Sequence, residues 1–383
     1  MSETRSAVVV GAGIVGAACA QELALAGFRV TVVDEGPAGS GATAAGMGHL
    51  VVMDDSPAQL ALTHYSRQLW DALELRLPRA AEFERTGTLW IAADDQEMAE
   101  VERKQRCFAA LGIPVQVLGA AALAEREPHL RAGLAGGLLV PSDAVVYPPT
   151  IARWMLHALC AHGRHELCRQ HVTTVEPHQV LLSDGTRLTA DLIVNAAGAD
   201  AARLTPGLPL RPRKGHLAIT ERYPGLVRHQ LIELGYLKSA HSTTAESVAF
   251  NVQPRATGQL LIGSSRQFGD TTATVHAPLL ARMLVRATEY LPGLARRKVL
   301  RVWTGFRAAT FDKLPLIGPV ADQPGVYLAT GHEGLGITTS LGTARLLVDQ
   351  IAGRPSAIAC EPYLPSRFAS AAALDPATPG TKV

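Results

Sequence analysis

Paired cysteines, long apolar runs and charge of one sign are all missing from this chain. The five cysteines, Cys19, Cys107, Cys160, Cys168 and Cys360, are odd in number, scattered and without a C-x-x-C pair. A disulfide framework or a zinc site needs regular spacing, so reduced thiols in a cytoplasmic protein are expected, and no metal. Lys plus Arg total 36 against 34 for Asp plus Glu. That near-balance leaves no electrostatic footprint for nucleic acid or an anionic membrane surface. No stretch reaches the about 18 uninterrupted apolar residues of a spanning helix. The expected place is the cytoplasm, or a peripheral position at the inner face of the cell membrane. The apolar start, Ala7 to Ala26, is interrupted by glycines and contains Gln21 and Glu22. It therefore reads as a buried strand and helix and not as a targeting segment.

What is present suits a well-buried globular protein. Hydrophobic residues make up 47% of the 383 and charged residues 18%, and the length favours two intertwined domains. Ala7–Val10 is a β-branched strand, Ala12–Ala26 an Ala-rich helix stopped by Gly27, and Arg29–Val33 a second strand. A small-residue loop, Gly36–Gly48, and a helix over Gln59–Leu77 follow. Further strands are expected at Gly87–Ala92, Gly136–Val140, Leu188–Val194 and Val326–Ala329, and helices at Asp95–Leu111, Pro148–Ala161, Leu279–Leu291 and Thr339–Ile351. Gly215–Thr220, Ser247–Val252 and Gln259–Gly263 suggest an antiparallel sheet of different texture. The fold class expected is α/β: a Rossmann-like dinucleotide domain with an interleaved α+β substrate domain built on an antiparallel sheet. The expected division gives 1–83, 142–212 and 302–368 to the first, 84–141 and 213–301 to the second, and 369–383 to a flexible tail.

Gly11-Ala-Gly13-Ile14-Val15-Gly16 fits G-x-G-x-x-G, a weak pattern alone. Here it follows a strand, opens a helix, and is followed by Asp34 at the end of the next strand, within the expected distance of about 20 residues. Gly11 makes the tight turn, Gly13 admits a pyrophosphate to the backbone N–H groups, and Gly16 lets helix and strand pack closely. The helix N-terminus adds partial positive charge. Asp34, with Glu35 beside it, can accept hydrogen bonds from a ribose diol. A second small-residue loop, Ser40-Gly-Ala-Thr43-Ala44-Ala45-Gly46-Met47, suits a flavin lying close to backbone. The dinucleotide is therefore expected to be FAD.

Together with Gly331-His-Glu-Gly-Leu-Gly336-Ile-Thr338, these segments resemble the D-amino-acid oxidase and glycine oxidase superfamily of FAD enzymes, over residues from about 7 to 365. The stretch Gly46 to Asp55 is similar to bacterial D-hydroxyproline dehydrogenases. The resemblance implies that Ser40, Thr43 and Ala44 contact the FAD phosphates and that Ala45, Gly46 and Met47 line the isoalloxazine. It places Ala197 and Gly198 by the pyrophosphate and adenosine, the backbone of Val172 by the adenine, and Gly334, Leu335, Gly336, Ile337 and Thr338 by the flavin pyrimidine. The last group precedes a helix whose N–H groups would also stabilise negative charge on reduced flavin. Attachment is expected to be non-covalent, because no Cys lies between Cys168 and Cys360 and Thr43 stands where some relatives carry a linking His.

The segment Trp303-Thr-Gly305-Phe-Arg307-Ala-Ala-Thr-Phe-Asp312-Lys-Leu-Pro315 resembles the superfamily's substrate-anchoring stretch, departing from it at Ala308, where Pro is usual. Arg307 matches the arginine that grips the substrate carboxylate and borders the cofactor. A planar guanidinium does this bidentately and fixes Cα–H over the flavin. His49, Tyr147, Tyr236, His241 and Glu333 are further pocket candidates, and His49, Tyr236 or His241 could pair with a ring hydroxyl. Lys214 and Arg222 are read as solvated faces. Leu261 stands where some sarcosine oxidases place an oxygen-activating Lys. That tilts the expectation toward a dehydrogenase passing electrons to a quinone or a partner redox protein, within a homo- or hetero-oligomer. The substrate expected is a small D-amino or imino acid, best cis-4-hydroxy-D-proline. Alternatives are a glycine- or sarcosine-type oxidase producing hydrogen peroxide and a non-catalytic FAD-binding assembly factor.

Overall fold

In the computed structural model, residues 4–160, 165–235 and 246–368 are described. The N-terminal strand is Ser6–Val10, with Ala7 to Val10 all buried, as a parallel strand covered on both faces requires. It pairs in parallel with Arg29–Val33 on one side and Leu192–Asn195 on the other. His165–Cys168 extends the sheet beyond Arg29–Val33, and Val326–Thr330 extends it beyond Leu192–Asn195. Leu316–Pro319 closes the far edge antiparallel, giving six strands. The helices Ile14–Leu25, Pro148–Cys160 and Gly336–Ala352 cover this sheet. Outside the last of them lies Pro57–Leu73, begun by Ser56, whose hydroxyl accepts the Gln59 N–H at 3.1 Å. The buried Trp70 indole donates to the Thr338 carbonyl at 2.8 Å and ties these two helices together.

A second sheet has eight strands, in the order Val299–Ala309, Arg211–Arg222, Gln259–Gln267, Glu246–Pro254, Gln230–Glu233, Thr88–Ala92, Gly136–Val140, Gln116–Gly119. Helix Ala277–Tyr290 packs on it through Leu279, Met283, Ala287 and Tyr290, whose spacing puts them on one helical face. Tyr290 stacks on Phe250 of the sheet with ring centroids 4.5 Å apart.

The structure matches the α/β class and differs from the sequence expectations in several places. The strands expected to be antiparallel, around Gly215–Thr220, Ser247–Val252 and Gln259–Gly263, are so, but their sheet is mixed, because Gln230–Glu233 pairs in parallel with Thr88–Ala92. The strand expected at Leu188–Val194 is two. Arg187–Thr189 belongs to a small three-stranded sheet, and the chain turns at Asp191 before Leu192–Asn195. Asp191 accepts both the N–H and the hydroxyl of Ser6 at 2.6 and 2.9 Å, which fixes the turn beside the first strand. The loop Gly36–Gly48 contains a short helix, Ala42–Ala45. Lys214, read as solvated, is fully buried, with its ammonium 2.7 Å from Asp270. Strands Arg211–Arg222 and Val299–Ala309 cross the expected boundaries at 212/213 and 301/302. We propose a two-unit layout in which these strands are shared, one unit around each large sheet. The expected tail, 369–383, lies outside the described residues. Among the described residues, no helix is long and apolar enough to cross a membrane.

Candidate active site

A cavity of about 530 Å³ runs between the two large sheets, from the glycine fingerprint at one end to Arg307 at the other. At the fingerprint, Gly11 has φ +108° and lies so close to Ala196 that a Cβ would meet its carbonyl oxygen at 2.5 Å. A Cβ at Gly16 would sit 1.9 Å from the Gly11 oxygen, so Gly16 permits the close packing of helix on strand but does not itself line the cavity. Gly13 is the helix N-cap and brings no side-chain acceptor. The Ile14 N–H donates to the Thr43 hydroxyl at 3.0 Å, which joins the second small-residue loop to this turn. Asp34 accepts the N–H groups of Ala12 and Gly36, each at 2.7 Å, and is held at the cavity rim. Glu35 meets His171 at 2.7 Å. The Val172 carbonyl accepts from Arg203 at 3.1 Å, and Ala197 and Gly198 line the same end.

The middle of the cavity is bordered by Ala45, Gly46 and Met47, with Gly334 to Ile337 facing them. The Trp303 indole donates to the Ala45 carbonyl at 3.4 Å, and the Gln253 amide to the Met47 carbonyl at 2.8 Å. Gly305 passes so near this loop that a Cβ there would lie 2.4 Å from that of Ala45. Thr338 and Ala44 do not line the cavity. Thr338 instead accepts the Val51 N–H and donates to the His49 carbonyl, bracing the loop against the final helix.

The far end is a cluster of charge. Arg213 and Arg307 are direct cross-strand neighbours, and like charges in that position repel. Glu333 lies between them, 3.3 Å from Arg213 and 4.0 Å from Arg307. Burial pushes its carboxyl up, but Arg307, Arg266 and Arg213 outweigh this and hold it below the usual carboxylate range. Glu333 is thus a counter-ion of the cluster. Arg307 also donates to the Ser265 carbonyl at 3.2 Å. Its guanidinium occupies the space over Gly215, where a Cβ would meet Nη1 at 2.4 Å. His49 borders the cavity with Nε2 2.7 Å from the Thr88 hydroxyl. Burial, helped by Arg67, lowers its pKa to about 3, so the ring is neutral. Tyr147 is not in the cavity wall; the Arg255 guanidinium covers its ring at 4.9 Å. Tyr236 and His241 lie outside the described residues.

Arg213, Arg266, Lys313, Trp90 and Asn251 also line the cavity, and sequence reasoning did not name them. Lys313 stands six residues after Arg307 in the same segment, and that proximity was an available signal. Arg213 and Arg266 become neighbours of Arg307 only through strand pairing.

The fingerprint end and the middle of the cavity fit a dinucleotide flavin: a helix N-terminus whose N-cap glycine brings no side chain, then a small-residue loop facing Gly334 to Ile337. The profile of the FAD dependent oxidoreductase family matches residues 6–350. The chain belongs to this family. It is similar to a glycine oxidase of Pseudomonas aeruginosa, 30% identical over 380 residues, covering 94% of this chain and 98% of that protein. It is 27% identical to a D-amino acid dehydrogenase of Methylobacterium nodulans, with 95% and 99% covered. The crystal structure of glycine oxidase from Geobacillus kaustophilus superposes with a TM-score of 0.84 at 27% identity, covering 95% of this chain and 99% of that one. As a member of this family, the protein is an FAD-dependent oxidoreductase.

Proposed function

We propose that this oxidoreductase oxidises a small D-amino or imino acid at Cα, with Arg307 anchoring the carboxylate. The substrate we favour is cis-4-hydroxy-D-proline, giving the cyclic imine 1-pyrroline-4-hydroxy-2-carboxylate. The observation that carries the reading is a guanidinium placed past the flavin loop, over Gly215, whose cross-strand partner Gly305 lies under Ala45 of that loop. Bound FAD supplies the hydride acceptor, held non-covalently by Gly11 to Val15, Asp34, Ser40, Thr43 and the Ala45–Met47 loop. Arg307 fixes the carboxylate bidentately and so orients Cα–H. Glu333 holds Arg307 and Arg213 in place without consuming the outer face of the guanidinium. Trp90, Leu217, Ile232 and Met47 form an apolar wall that excludes water from a ring-sized substrate. Asn251 can pair with a ring hydroxyl, which would otherwise cost about 1–3 kcal/mol to bury. Electrons then pass to a quinone or a partner redox protein. The similarity to glycine oxidases supports a second reading, an oxidase of glycine or sarcosine that yields hydrogen peroxide.

Anaerobic mixing of the holoenzyme with a panel of D- and L-amino acids tests this. Cis-4-hydroxy-D-proline and related D-amino acids should bleach the flavin, and Arg307→Ala should abolish bleaching. If no small amino acid bleaches it, the proposal fails. Rapid reoxidation in air with peroxide release would select the oxidase reading.

A further inference from the structure

His49 is hydrogen-bonded to Thr88, and Thr88 faces a buried acid that the site described so far does not use. Its Nε2 meets the Thr88 hydroxyl at 2.7 Å, and Thr88 is fully buried. Behind Thr88 stands Asp143, 1% exposed. Neither of its carboxyl oxygens closes a hydrogen bond of full geometry among the described residues, although the Thr88 side chain and the Val52 N–H face it. Arg67 Nη1 is likewise buried without a partner. Its other terminal nitrogen is taken by Asp71 and the Ser142 carbonyl. Buried polar atoms in native proteins are satisfied by protein or by ordered water. Thr88 thus stands between an imidazole that borders the cavity and a buried carboxyl whose oxygens are not otherwise taken among the described residues.

We propose that His49, Thr88 and Asp143 form a proton relay in which Asp143 is the final acceptor of a proton released by the substrate amine in the cavity. The relay rests on the reading of the substrate as an amine, which must be neutral before hydride can leave Cα. The transfer balances atom by atom. The ammonium N–H bond breaks as a bond forms to His49 Nδ1. The Nε2–H bond breaks as one forms to Thr88 Oγ. The original Thr88 O–H proton passes to the Asp143 carboxylate. The imidazole only exchanges tautomers and carries no lasting charge, which suits a ring too buried to be protonated near neutrality. Burial raises the Asp143 carboxyl to about 7, against the lowering influence of Thr88, Arg67, the Val52 N–H and Lys104. Lys104 is itself paired with Asp54, and Arg67 with Asp71. Below that value Asp143 donates to Thr88, Thr88 donates to Nε2, and the hydrogen of His49 sits on Nδ1, where it blocks acceptance. Above it, the chain reverses and Nδ1 presents a lone pair. Asp143 and Thr88 are positioning residues in this scheme, and His49 touches the substrate.

The test uses the holoenzyme and two readouts. In anaerobic stopped-flow, wild-type flavin reduction should rise with pH through an inflection near 7. Thr88→Val and Asp143→Asn should lose that inflection and reduce flavin more slowly, on the order of 10²-fold. Thr88→Ser, which keeps the hydroxyl, should retain it. In ¹⁵N spectra of the His49 ring, the proton should move from Nδ1 to Nε2 as pH rises through the same range, and stay fixed in the Val and Asn variants. A wild-type pH profile in Thr88→Val, or a His49 tautomer indifferent to Asp143→Asn, overturns the relay. If no amino acid reduces the wild-type flavin, the proposed function fails, and the ring-nitrogen spectra still decide the relay by themselves.

Discussion

Gly215→Ala should disable substrate anchoring without touching a charge. The added methyl carbon would lie 2.4 Å from Arg307 Nη1, 2.8 Å from Nη2 and 2.9 Å from Cζ. Ordinary contact needs about 3.5 Å, so the guanidinium must retreat by about 1 Å. The backbone itself accepts alanine, because Gly215 lies inside a strand and has no positive φ. A charged hydrogen bond is worth about 1.5–3 kcal/mol, and each 1.4 kcal/mol is tenfold in affinity. Losing one of the two bonds to a carboxylate should therefore weaken substrate binding by about ten- to a hundredfold. Anaerobic titration of the flavin spectrum with an amino acid measures this. Thermal stability and FAD retention should match wild type, which separates the effect from misfolding. An amine lacking the carboxylate should bind both proteins equally. Substrate affinity within about twofold of wild type would refute the placement of Arg307 as the carboxylate anchor.

Three further outcomes follow from local geometry. Thr43→Val leaves the Ile14 N–H without its acceptor and should cost about 1–3 kcal/mol, seen as a lower Tm and faster FAD loss on dilution. Gly342→Ala would set a methyl 2.3 Å from the Ser66 hydroxyl and should destabilise by about 1–3 kcal/mol in urea melts. Ser66→Ala should restore most of that loss, since the Ser66 hydroxyl is a buried group with no partner among the described residues. Asp143 has a folded pKa raised to about 7 from 3.8. Between those values the folded state binds more protons than the unfolded one, so stability falls as pH rises across that window. The urea midpoint of wild type relative to Asp143→Asn should decline over this range, and parallel curves would contradict the burial of that carboxyl.

The parts of the fold that were legible in the sequence are those in which one local run carries its own physics. Ala7–Val10, the glycine turn and Asp34 form a contiguous unit in which every residue type has a single explanation. The final helix was readable because Gly353, in the left-handed region at φ +63°, ends it. Less legible were features created by pairing. Arg213 and Arg307 are 94 residues apart in sequence (307 − 213) and adjacent only in strand register. The burial of Lys214 depends on Asp270 in a distant loop, so a lysine in a polar stretch gave no hint of it. Val299–Ala309 begins with Lys298 nearby and several exposed residues, and it becomes a strand through its long pairing with Arg211–Arg222. Asp143, between the strands Gly136–Val140 and Ala144–Val145, gives no sequence sign of its burial.

The order of strands in the six-stranded sheet has a consequence for how the protein is made. The first strand takes one neighbour from residues 29–33 and the other from residues 192–195, and the next neighbour outward comes from 326–330. Ribosomes deliver about 5–20 residues per second, so the glycine turn waits roughly 8–32 s for Leu192–Asn195 and the sheet about twice as long for Val326–Thr330. During the first of these waits a strand buried from Ala7 to Val10 in the folded protein has an open edge. Flavin capture therefore waits for segments far along the chain, and nascent chains that have not reached them should be cut by proteases in the N-terminal strands.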